Sequence, residues 1–167
     1  MKKHIDLIWE YNYWANRRIL ARAASLTQAQ VSEQLPTMWA SILGTMAHVL
    51  GAEWVWRQRT QEGVSPAANL DRDQFSTLDL LNQRWAEEEA VMRAYLATLS
   101  DADLERVVEY HSLTPTDQPF RRPLWQILTH VVNHGTQHRS EVALYLTNVD
   151  CSPGNMDITA YLLELGL

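Results

Sequence analysis

Apolar residues recur at steps of three and four through four segments of this chain, and each such segment has to bury one helical face against another. The first runs from about Ile5 to Ala24, with Ile8, Tyr11, Ala15 and Ile19 on one side. The stretch "SLTQAQVSEQLPT" interrupts it, and Pro36 opposes continuation of a helix. The second segment, about Trp39 to Arg59, sets Trp39, Ile42, Leu43, Met46, Leu50 and Trp54 on a common stripe, and "EGVSPAANLD" closes it with Gly63 and Pro66. The third, about Leu78 to Leu99, repeats Leu78, Leu81, Trp85, Met92, Leu96 and Leu99. The fourth starts near Pro123, a residue suited to a first helical turn, and reaches about Thr147.

The intervening pieces are shorter. "SDAD" has the chemistry of a helix cap and predicts a short turn. "RVVEYHSLTPTDQPF" is β-branched and aromatic around Pro115 and Asp117, which predicts a short hairpin or an extended loop. "MDITAYLLELGL" reads as a short closing helix with Asp157 near its start. The expected fold is all-α: one domain over residues 1–167, a four-helix bundle with a long connection between the second and third long helices.

Charge and composition narrow the function classes. Against 14 Lys and Arg stand 20 Asp and Glu, a net charge of −6, and the densest basic pairs, Arg17-Arg18 and Arg121-Arg122, are isolated. No nucleic-acid partner is therefore expected. The single cysteine, Cys151, excludes an internal disulfide and fits a reducing compartment. No stretch approaches the ~20 apolar residues of a membrane span, and the opening "MKKHIDLIWEYNYW" lacks the pattern of a secretory signal. A cytoplasmic, soluble protein with no membrane partner is expected, and its tryptophan-rich helix faces could pair in a homodimer.

The chemistry concentrates in "HVVNHGTQH", where His130, His134 and His138 stand four residues apart. Four residues along a helix is ~6 Å of rise, close enough for two imidazoles to share an ion, whereas eight is ~12 Å and too far. The apolar seam of the fourth helix runs Leu124, Leu128, Val131, Gly135, His138, Val142, Tyr145 and Val149. His138 stands in it, His134 flanks it beside Ile127 and Glu141, and His130 lies toward solvent with Gln137. The inward pair is His134 and His138. A third ligand should come from another helix, and His48 is the candidate, on a face with Ser41, Gly44, Thr45, Gly51, Ala52 and Val55. Small neighbours there leave room beside an imidazole; close helix packing would produce the same pattern, and His48 taken alone could be a satisfied core histidine.

These residues also resemble a known family. "HVVNHGTQHRSE", the lone histidine in "GTMAHVLGAEWVW", the opening "YNYWANRRIL" and the ending "PGNMDITAYL" are similar, in order and over essentially the whole chain, to the DinB-like (YfiT-like) family of metalloenzymes. The resemblance implies a four-helix bundle holding one divalent metal, zinc first and nickel as the alternative, on three histidines, here His48, His134 and His138. It further implies chemistry of the kind seen in relatives, which include thiol-dependent S-transferases and a mycothiol-dependent isomerase. One segment departs: where relatives often read HRGQ, this chain has "HRSE", with Ser140 and Glu141. The expected function is a metal-dependent enzyme that activates a low-molecular-weight thiol against a small-molecule substrate in stress or detoxification chemistry. The alternatives are a hydrolase using metal-bound water and a non-catalytic metal-binding stress-response protein. Candidate helpers are Glu141, Glu53, Glu88 and Arg139, with no catalytic residue assigned.

Overall fold

The computed structural model describes residues 1–36, 39–114 and 118–167. Four long helices dominate it: α1 (Lys2–Ala23), α3 (Ile42–Arg57), α4 (Leu78–Thr98) and α6 (Leu124–Asn148). Shorter ones lie between and after them: α2 (Gln28–Val31), α5 (Asp101–Leu104) and α7 (Ile158–Glu164). A two-stranded antiparallel hairpin, β1 (Val107–Tyr110) and β2 (Phe120–Pro123), pairs Val107 with Pro123 and Tyr110 with Phe120. Pro115 and Asp117, around which the hairpin was expected to turn, lie outside the described residues. Among the described residues no helix is long and apolar enough to cross a membrane.

Local chemistry accounts for the helix boundaries. Thr27 and Gln30 form a reciprocal capping box that starts α2, inside a stretch read from sequence only as an interruption. Ser100 and Asp103 do the same for α5, and Thr77 caps α4 by accepting from the Leu80 amide. The expected stripe on the second long helix needs correction at its first residue. Ala40 turns the chain with φ of 67°, and Ser41 caps α3 through the Gly44 amide at 2.9 Å, so Trp39 precedes the helix. At its other end α3 widens into a π-turn, Gln58–Glu62, that stops at Gly63 with φ of 69°.

α1 lies along α6, and α3 packs between α6 and α4. One apolar cluster gathers Ile5, Trp9 and Tyr13 with Met92, Leu124 and Leu128; a second gathers Ile19, Ile42, Met46 and Leu50 with Leu81 and Leu146. On α6 the sequence between them carries His134, Gly135, His138 and Arg139, the last three buried. The fourth-helix seam holds from Leu124 to Val142, then drifts from the expected Tyr145 to Leu146, as a straight helix drifts against a seven-residue repeat.

A buried polar cluster joins all four long helices. Glu53 on α3 accepts hydrogen bonds from Asn12 at 2.7 Å and Asn16 at 3.0 Å, both on α1, and from the Trp85 indole of α4 at 3.1 Å. The carbonyl oxygens of the same asparagines accept from the Arg139 guanidinium of α6 at 2.6 and 2.8 Å. Burial pushes the Glu53 carboxyl up, while its three donors and Arg139 oppose that shift. Gly135 makes room for the arrangement, because a Cβ there would lie 2.7 Å from Arg139 Nη1. Glu53→Ala should therefore leave three donors without their acceptor and the buried Arg139 guanidinium without its counter-charge, and destabilise the fold by about 3–5 kcal/mol. Urea unfolding checks this; a loss under about 1 kcal/mol, the scale of one ordinary hydrogen bond, would show that the cluster does not brace the bundle.

Candidate metal centre

Two of the long helices bring three imidazoles together. His48 projects from α3 and His134 and His138 from α6, each offering a nitrogen, and these atoms lie within 4.8 Å of one another. The Nε2 atoms of His48 and His134 are 3.1 Å apart, close to the ~3.3 Å expected for two imidazoles on one tetrahedral ion with bonds of ~2.0–2.1 Å. Ring centroids are 5.0, 4.8 and 4.6 Å apart for the pairs 48–134, 48–138 and 134–138. His130 stays outside the group: it is exposed, its ring centre lies 5.9 Å from that of His134, and it meets Trp56 edge-on. Among the described residues no fourth His, Cys, Asp or Glu joins the three.

The surroundings fix the rings. The His138 imidazole is 2 % exposed, and its Nδ1 lies 3.0 Å from Glu141 Oε2, one turn along α6. A carboxylate there accepts the Nδ1–H, which holds the tautomer that leaves the Nε2 lone pair free. Trp39 stacks on His48 with ring centres 3.8 Å apart and 14° between planes. It reaches that position because Gly44 has no side chain: a Cβ would stand 2.4 Å from the Trp39 carbonyl oxygen. Asn69 similarly occupies the space over Gly51, where a Cβ would be 2.2 Å from its Oδ1. The small residues of α3 thus admit connecting loops, and α3, buried on most sides, has no single apolar stripe.

Burial and the neighbouring imidazoles both disfavour protonation of this group. The pKa of His48 is lowered to about 3 and that of His134 to about 4, in each case first by burial and then by the other histidines. At neutral pH both rings are therefore uncharged and carry lone pairs. His134 Nδ1 and the Trp39 indole nitrogen are buried without a protein partner.

The other candidate helpers divide. Glu141 sits beside the centre, on His138. Glu53 and Arg139 belong to the buried cluster, and Arg139 reaches Glu53 only through Asn12 and Asn16. Glu88 is buried, but its carboxylate is taken by Arg57 and by Arg84 at 3.0 Å. Cys151 follows α6, its sulfur 3.5 Å from the Ser25 hydroxyl. A cleft of about 560 Å³ opens one turn from the triad, with His130, Trp56, Arg59 and Tyr110 in its wall and none of the three histidines. Sequence reading missed Trp39 as the ring over His48, and missed Asn12 and Asn16. The asparagines at i and i+4 among apolar residues of the first segment were the available signal.

Comparison with known proteins places the chain's sequence and fold. The sequence model of the DinB family matches residues 1–164. A relative, Protein DinB of Bacillus subtilis (strain 168), is 24 % identical over 162 residues, covering 93 % of this chain and 91 % of its own length. A crystal structure of a conserved protein from Enterococcus faecalis superposes with a TM-score of 0.54 at 16 % identity, over 84 % of this chain and 92 % of that one, and shares the fold.

The lowered pKa values set a pH dependence. An unfolded histidine titrates near 6.5, whereas folded His48 and His134 resist protonation down to about 3 and about 4. The unfolded chain therefore binds more protons below about pH 6.5, and these residues subtract stability progressively as pH falls from there toward about 4 and then about 3. Metal-free wild type should lose more stability than His48→Gln between pH 7 and pH 4.5, measured by urea midpoints. Parallel losses in the two proteins would contradict the assignment.

Proposed function

This chain belongs to the DinB family, and on that premise we propose that it is a divalent-metal-dependent enzyme in which His48, His134 and His138 hold one ion, zinc first and nickel as the alternative. We further propose that it activates a low-molecular-weight thiol for transfer to an electrophile. The observation that carries the reading is the convergence of three imidazole nitrogens, from two helices, with no fourth protein ligand among the described residues. Structural zinc sites close their tetrahedron with protein atoms, whereas catalytic sites keep a position open.

The residues fit a cation. Two Nε2 atoms face each other at 3.1 Å on rings that are neutral at pH 7, so one proton at most can sit between them. The Glu141 carboxylate on Nδ1 makes His138 a better electron donor at its other nitrogen. Bound there, a divalent ion with three neutral ligands keeps its full charge and supplies Lewis acidity that lowers the pKa of a coordinating thiol or water.

The chain's own groups orient and exclude water. Trp39 covers one face of His48 and restrains its ring. Glu141 holds the His138 tautomer from the side of the ring away from the centre. The thiol comes from outside, because the only cysteine of the chain lies in the loop after α6 and contacts Ser25.

The test begins with protein purified without an affinity tag. Metal analysis should find about one equivalent of divalent metal, and thiol consumption with several low-molecular-weight thiols should require it. His138→Ala should lose metal and turnover yet keep its far-ultraviolet helicity, because the two apolar clusters and the Glu53 cluster hold the bundle without an ion. Glu141→Gln should weaken metal binding about 10–100-fold. Retention of one equivalent of metal by His138→Ala, or a metal-free wild type that is unfolded at room temperature, would sink the proposal. Ester cleavage with no thiol consumption would replace thiol transfer by hydrolysis at the same centre.

A further inference from the structure

The cleft beside the triad holds a cation that no carboxylate among the described residues pairs with. Arg59 is 6 % exposed, yet among the described residues no carboxylate forms an ion pair with it. Several other arginines are matched by carboxylates: Arg57 by Glu88, Arg93 by Glu10 and Glu89, Arg18 by Glu164. Arg59 donates from Nη2 to the His111 carbonyl at 2.6 Å, and its Nε–H is buried with no acceptor. Desolvating a guanidinium without a counter-charge is costly, and an anion in the cleft would offset that cost.

The backbone puts Arg59 there by an irregularity. The π-turn Gln58–Glu62 at the end of α3 rotates Arg59 and Thr60 inward, and the Thr60 carbonyl accepts from the Tyr95 hydroxyl at 3.0 Å and from Arg106 at 3.0 Å. Aromatic rings complete the wall. The Arg59 guanidinium carbon is 4.5 Å from the Trp56 ring centre and 5.1 Å from that of Tyr110, and Tyr110 stacks on Phe120 at 5.6 Å with 21° between planes. Arg122, a second arginine with no carboxylate partner among the described residues, also lines the cleft. His130 forms the side toward the centre, its ring 5.9 Å from that of His134.

We propose that this cleft binds the organic substrate of the metal centre as a small aromatic carboxylate, with Arg59 holding the carboxylate, the ring packed against the outer side of the Trp56–Tyr110 pair, whose ring centres meet edge-to-face at 4.8 Å, and the far end of the molecule directed past His130 toward His134. A carboxylate suits the site better than a phosphate because one buried guanidinium matches one planar monoanion. The cleft volume of about 560 Å³ accommodates such a molecule. Only the occupant's role as substrate rests on the metal-enzyme reading; its binding does not.

The experiment is calorimetric titration of the full chain, metal-free and zinc-loaded, with phenylacetate, phenyl phosphate and phenethylamine. Phenylacetate should bind both forms, at least about tenfold more tightly than phenethylamine. Arg59→Met should weaken phenylacetate at least about tenfold, and Arg122→Gln by about two- to threefold, with zinc stoichiometry unchanged in both. Because Arg59→Met could disturb the cleft, a second readout uses wild type alone: phenylacetate should shift the indole N–H resonance of Trp56, assigned through Trp56→Phe, and leave that of buried Trp85 in place. Binding only to the zinc-loaded form with no effect of Arg59→Met would mean that the anion sits on the ion, and would overturn the proposal. So would an unshifted Trp56 resonance, equal binding of phenethylamine, or tighter binding of phenyl phosphate. Phenylacetate binding without zinc binding would sink the metal-enzyme reading alone, and zinc binding without phenylacetate binding would sink this one alone.

Discussion

Glu53 lies beyond the reach of solvent and holds donors from three directions, and the position of the histidines depends on that arrangement. Its carboxylate binds Asn12 and Asn16 of α1 and Trp85 of α4, while the asparagines pass the contact on to Arg139 of α6. Apolar side chains can slide against one another at little cost, but a buried carboxylate and a buried guanidinium cannot lose their partners. The cluster therefore fixes the axial register of the helices. Arg139 adjoins His138, and Glu53 stands five residues after His48, so the register of the cluster sets the register of the ligands.

The same separation of charge explains the electrostatics. The fold ties Glu53 and Arg139 into one hydrogen-bonded unit and buries the imidazoles beside one another, with Trp39 over His48, so His48 and His134 remain neutral well below pH 7. Neutral, convergent lone pairs are what a cation binds. Glu141 adds one negative group on the outer side of His138, at a position in "HRSE" where relatives often carry an amide. A carboxylate there raises the basicity of the ligand, and it can also accept a proton.

Much of this was legible in the sequence because it depends on local rules. The third and fourth long helices begin and end within a residue or two of where their periodicity placed them, and the α6 seam separates His130 from His134 and His138 as the geometry of a single helix requires. The unread parts depend on contacts between distant segments. α3 is buried on most sides, so its apolar pattern does not report which face meets which neighbour, and Trp39 fits the stripe in sequence although the turn at Ala40 lays it over His48. Asn12 and Asn16 look like ordinary polar residues until Glu53 and Arg139 are brought between them. The π-turn that carries Arg59 inward has no sequence signature at all.

Everything proposed for the site requires the three imidazoles to share one ion. X-ray absorption at the zinc edge of the zinc-loaded protein tests it most directly, since the scattering of histidine rings is distinct from that of carboxylate oxygen or sulfur. Three imidazole nitrogens at ~2.0–2.1 Å with one exchangeable oxygen ligand beside them are expected, together with loss of ring scattering in His48→Ala. A first shell with a single imidazole, or one that His48→Ala leaves unchanged, would contradict it.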